Sequence, residues 1–149
     1  MSKVIIFVLN NDVMVMTPTP EEISGLSVND AAKIGVPEGV RYWIVDYETL
    51  PTSYPQESWD INDETGAVFV DEVRLKKLQV AEADTQKEAL IAAANAYINE
   101  QNWPSKLALG RLSDADKAKF NAWLDYIDAV TAVSTSTAPD ITWPEKPAS

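Results

Sequence analysis

The stretch "AVFVDEVRLKKL" (67–78) changes period partway through. Residues 67–70 are β-branched or aromatic apart from Ala67, which suits a short strand. From Asp71 onward the pattern is helical. Asp71 is placed as an N-cap whose carboxylate can accept a first-turn N–H. The helix expected over about 72–100 is polar early, apart from Val73, Leu75, Leu78 and Val80. Its later half carries Leu90, Ile91, Ala94, Tyr97 and Ile98, the stripe of a buried face. The chain therefore reads as α+β: a small β-rich N-terminal domain (1–70) and a helical C-terminal domain (71–149).

Downstream, "NWPSKLALGRL" (102–112) breaks the helix at Pro104 and allows a short helical turn up to Gly110. Ser113 then caps a second helix, about 114–133, with Asp114 and Asp116 well placed for the helix dipole. Its expected stripe is Phe120, Trp123, Leu124, Ile127 and Val130. Two such helices with a short connection make an antiparallel hairpin.

Upstream, "KVIIFVLN" (3–10) and "DVMVMTP" (12–18) read as strands around a turn at "NND". "TPTPEEISG" (17–25) reads as loop by its prolines. "SVNDAAKIG" (27–35) reads as a helix with Ser27 as N-cap and Gly35 as the C′ stop. "VPEGV" (36–40) is a turn and "RYWIVDY" (41–47) a strand. Residues 50–66 read as loop, with Trp59 expected to pin it to the core. No internal repeat is present.

Composition narrows the function. There is no histidine and no cysteine. That removes Cys/His zinc sites, cysteine nucleophiles, Ser-His-Asp triads and disulfides. Twelve basic residues face 23 acidic ones, net −11. Phosphate backbones and anionic lipid should be repelled, so neither nucleic acid nor membrane is an expected partner. Residues 1–70 hold 3 basic and 11 acidic residues; residues 71–149 hold 9 and 12. Mean hydropathy is −0.17. "VIIFVL" (4–9) is too short for a membrane span and lacks a cleavage site, so it is expected to be a buried strand of a cytoplasmic protein.

No catalytic set emerges. "DINDETGAVFVDE" (60–72) resembles a calcium loop, but Thr65 stands where an EF-hand needs glycine, and Asp71 where it needs glutamate. An acidic turn closing a strand pair is the alternative. Asp125 and Asp128 are the carboxylates considered for hydrolase chemistry, but they lie beside the apolar stripe like a solvated face. A lone glycine in "LALGRL" makes no phosphate cradle. Of the five tryptophans, Trp43 and Trp123 fall on strongly apolar stretches and read as core. No cofactor, metal or enzymatic activity is expected; binding another protein is.

The C-terminal stretch "LGRLSDADKAKFNAWLDYIDAVTAVSTSTAPDITWPEKP" (109–147) resembles the tail fibre assembly proteins, or tail fibre chaperones, of tailed bacteriophages and prophages. The carriers are "LGRLSDADK", the helix with Ala122, Trp123, Tyr126 and Ala129, and the terminal Trp143–Pro144. Ser134 departs from the family pattern, where an acidic residue is frequent. Residues 36–51, with Trp59 and 66–78, look like the N-terminal region of small phage tail-associated proteins. The resemblance implies a helper that binds the C-terminal, distal part of the fibre polypeptide in the host cytoplasm and promotes its folding and trimerisation. In some phages such a helper leaves; in others it stays on the fibre tip, so a permanent virion component is the alternative. Self-association into a homo-oligomer stays open.

The final stretch "STSTAPDITWPEKPAS" (134–149) carries two water-averse residues, Ile141 and Trp143. Pro139, Pro144 and Pro147 favour an extended path. Ile141 and Trp143 either fold back onto the helices near Trp123, or stay available with Pro144 to clamp the fibre. The candidate partner-binding residues are thus Ile141, Trp143, Pro144 and Trp123. "KPAS" (146–149) is expected to fray.

Overall fold

The computed structural model describes residues 2–148. The fold is α+β, strands first and helices after. The chain divides into two compact units, Met1–Leu78 and Gln79–Ser149.

The N-terminal unit is built on the hairpin of β1 (Lys3–Leu9) and β2 (Asp12–Met16). Asn10 and Asn11 have φ of 53° and 69°, the left-handed pair of a two-residue type I′ turn; Asp12 therefore belongs to the strand. After β2 the structure departs from the expected loop. Residues Glu21–Ser24 form a single helical turn, α1, which follows Pro20 and closes on Gly25 at φ 72°.

Helix α2 (Val28–Gly35) starts at Ser27 as expected: the hydroxyl accepts the Asp30 N–H at 3.2 Å and donates to the Asp30 carboxylate at 2.9 Å. Gly35 differs from expectation. It is the last helical residue, and Val36 follows in extended conformation. Its lack of a side chain matters for space, since a Cβ there would overlap the Met16 sulfur.

Strand β3 (Tyr42–Asp46) pairs antiparallel with β1, giving the order β2-β1-β3. β1 is thus central. Val4 and Ile6 face one core with Val13, Leu50, Trp59 and Ile61. Ile5 and Phe7 face another with Ala32 and Val36. Burial on both faces explains why "VIIFVL" is unbroken rather than alternating.

Trp59 does pin the core, at 5% exposure, but as the first residue of a strand: β4 (Trp59–Ile61) pairs with β5 (Val68–Val70). The acidic turn closes this pair. Asn62 Oδ1 accepts the N–H groups of Glu64 and Thr65 at 2.9 and 3.1 Å, and Gly66 sits at φ 75° under the Trp43 ring. The possible calcium loop is therefore a strand-closing turn. Asp71 caps α3 (Glu72–Glu100) through the Arg74 N–H at 2.9 Å. The Arg74 guanidinium donates to the Trp59 carbonyl at 2.7 Å, tying this first turn to β4.

In the C-terminal unit, α3 gives way at Asn102, φ 57°, to α4 (Trp103–Ala108). α4 ends in a Schellman turn: Arg111 N–H reaches the Lys106 carbonyl and Gly110 N–H that of Leu107. α5 (Asp114–Thr131) begins at Ser113, whose hydroxyl accepts the Asp116 N–H at 3.1 Å. Tyr97 meets Trp123, Lys87 meets Val133 and Asp84 meets Thr135, so α3 and α5 run antiparallel. The buried stripe of α5 is Trp123, Tyr126 and Val130; Leu124, expected inside, is 41% exposed.

Candidate protein-binding surface

Aromatic packing dominates the helical unit. Trp123 is its hub, only 3% exposed. Tyr97 stacks on it at 4.4 Å, and Tyr126 meets it edge-on at 6.0 Å. Trp103 stands edge-on to Tyr97 at 5.7 Å and stacks with Phe120 at 5.8 Å. Both geometries suit aromatic quadrupoles and add about 0.5–1.5 kcal/mol per pair beyond burial. The spacing explains it: residues 120, 123, 126 and 130 fall on one side of α5, facing 94, 97 and 98 of α3.

Beyond α5 the chain turns back over this floor. Residues Thr135–Thr137 form one 3-10 turn, followed by a cis Ala138–Pro139 bond. The Thr137 hydroxyl donates to the Asp140 carbonyl at 3.0 Å. Ala138, Pro139, Ile141 and Trp143 border a cavity of about 170 Å³ with Glu82, Ala83 and Gln86. Lys146 lies farther along α3, bordering one cavity with Tyr97 and Glu100. The segment therefore runs parallel to α3. From Ala83 to Tyr97 the helix rises about 20 Å at ~1.5 Å per residue. Residues 138–146 reach that far only if extended, the path that the prolines favour.

Each candidate residue can now be placed. Trp123 is buried and forms the floor. Trp143 is half-buried against the same aromatic cluster. Ile141 and Pro144 are also half-buried. In "KPAS", Lys146 and Ala148 are exposed and Pro147 is half-buried; Ser149 lies outside the described residues.

A larger cavity, about 410 Å³, adjoins this arrangement. Leu90, Ala93, Tyr97, Trp123 and Tyr126 line it, with Glu100 and Lys146 as its charged members. The alanines keep it open, the aromatics give it an apolar wall, and the two charges can orient a polar backbone. Sequence reasoning missed Tyr126, Ala93 and Lys146 as contributors. For Tyr126 the signal was present, since it lies three residues after Trp123 and four before Val130.

Asp125 and Asp128 are both solvent-exposed. Among the described residues, no three Asp or Glu side chains gather closely enough to hold a metal ion. No helix among them is long and apolar enough to cross a membrane.

Fold and surface together define an α+β protein whose helical unit carries an aromatic-walled depression. Residues 25–148 match the family profile described as "Caudovirales tail fibre assembly protein, lambda gpK". Over 101 residues, 66% of the chain, it is 42% identical to the prophage tail fiber assembly protein homolog TfaE of Escherichia coli K12, covering 47% of that protein. Over an equal span it is 40% identical to TfaS of the same strain, covering 82% of it. It is also 50% identical to YfdK of that strain over 70 residues, 47% of this chain and 48% of YfdK. The chain thus spans about half the length of YfdK and TfaE. No solved structure matches it. The chain belongs to the Caudovirales tail fibre assembly protein family.

Proposed function

We propose that this protein binds the C-terminal, distal part of a tail fibre polypeptide in the host bacterial cytoplasm and promotes its folding and trimerisation. The observation that carries the proposal is the family match over residues 25–148. Physical chemistry supports it. An intertwined β-fibre has high contact order, so it folds slowly and exposes strand edges meanwhile. A helper that covers apolar segments and edges suppresses aggregation. Its own charge of −11 keeps loaded complexes apart.

The contact surface in this proposal is the C-terminal segment packed on the helices, through the parts of Ile141, Trp143 and Pro144 that stay accessible there, with the adjoining cavity floored by Trp123. A fibre side chain entering that cavity would meet Tyr97, Trp123 and Tyr126 without rearrangement of α3 or α5. The work is binding, with no covalent step. The test is co-purification with the C-terminal fragment of the fibre encoded beside this gene. A complex that survives gel filtration and is weakened by Ala93→Glu supports the proposal. Two separate peaks at micromolar concentration would exclude it.

A further inference from the structure

The N-terminal unit carries a concave surface of its own. Two neighbouring cavities, about 280 and 460 Å³, adjoin along a shared wall of Thr17, Pro18, Thr19 and Leu26 and together make a two-lobed depression, aliphatic in the lobe with Ile34 and acidic in the lobe with Glu21 and Glu22. Met16, Ala31 and Val28 contribute to its walls. Ile34 stands on it 72% exposed and Leu26 39% exposed. Aliphatic side chains grouped in a concave surface differ from scattered surface apolars, which need no explanation.

The electrostatics select the occupant. Glu21 and Glu22 line the depression. Its one lysine, Lys3, already has its ammonium 2.8 Å from the Asp46 carboxylate. Residues 1–78, the span of this unit, hold 13 carboxylates against 6 cations. A second copy of this unit would bring the same excess and be repelled, as would anionic lipid or nucleic acid. What complements an apolar floor with an acidic rim is a chain segment with aliphatic side chains beside cations.

We propose that this depression binds an extended polypeptide segment carrying aliphatic side chains next to Lys or Arg. Met16 and Gly35 make the floor adaptable. The tip of the unbranched Met16 thioether lies close to Gly35, where a Cβ would overlap its sulfur. Gly35→Ala therefore preserves the helix while displacing the Met16 tip, which lines the same depression.

The test pans the purified full chain against a random linear peptide library and titrates resynthesised hits by calorimetry. Enriched peptides should pair aliphatic residues with Lys or Arg and bind more weakly as salt rises. Ile34→Asp should weaken binding about tenfold or more. Gly35→Ala should weaken it too, with melting and circular dichroism retained. Leu124→Asn, on the exposed side of α5 in the other unit, should leave the affinity unchanged. An unenriched library, hits without basic residues, or affinity indifferent to both N-terminal variants would overturn the proposal. The probe contains no fibre sequence, so this result stands or falls separately from the fibre-binding proposal.

Discussion

Replacing Trp143 with alanine removes the side chain through which the C-terminal segment rests on the aromatic cluster. Truncating a fully buried tryptophan costs about 3–5 kcal/mol. Trp143 is half-buried, so about 2 kcal/mol is expected. Little else compensates. Lys87 Nζ donates to the Val133 carbonyl at 2.8 Å, and the Thr135 hydroxyl to Asp84 at 2.6 Å, but both ties lie before Ala138. Among the described residues, those from Thr142 to Ala148 form no hydrogen bond, and the packing of Trp143 on the aromatic cluster is a principal hold on them. For a unit of this size the loss corresponds to a fall in Tm of about 8–16 °C. Far-UV circular dichroism during a thermal ramp reads the shift, and limited proteolysis reads release of the segment. A Tm within about 2 °C of the parent, with protease resistance intact, would refute the assignment of Trp143 to the fold.

Further variants test individual assignments. Tyr126→Ala should cost about 3–5 kcal/mol in urea unfolding, whereas Leu124→Asn should stay within about 0.5 kcal/mol, reversing the order that α5's sequence suggested. Ser113→Ala leaves the Asp116 N–H without its acceptor and should cost about 1 kcal/mol by the same measurement. Gly66→Ala should destabilise the N-terminal unit by about 1–3 kcal/mol, since φ is 75° there and a Cβ would overlap the Trp43 ring; tryptophan fluorescence during urea unfolding reads it. Mass spectrometry of purified particles should find the protein absent if it acts as a transient helper; a stoichiometric signal would instead identify a resident of the fibre tip.

Strong local signals made much of the architecture legible. Ser27, Asp71 and Ser113 each announced a helix start, and each accepts the backbone N–H expected of it. The aromatic floor was partly legible, because Trp123 and Val130 carry the helical period. Leu124 misled because it borders the stripe, and only the partner helix decides which border residue is covered. Tyr126 won that place through its contact with the Trp123 ring. Gly35 looked like a helix stop, but its role depends on Met16, a residue of a different element. The depressions were not legible at all. They arise where distant segments meet, Lys146 beside Tyr97 in one unit and Pro18 near Ile34 in the other, and no local pattern encodes such meetings.

Fibre trimerisation tests the central claim most directly. The neighbouring fibre gene is expressed in bacteria with and without this protein, and the soluble fraction is resolved by gel electrophoresis without boiling. Trimeric, soluble fibre should form only, or far more abundantly, in the presence of the protein. Equal amounts of trimer from the fibre expressed alone would contradict the proposed role.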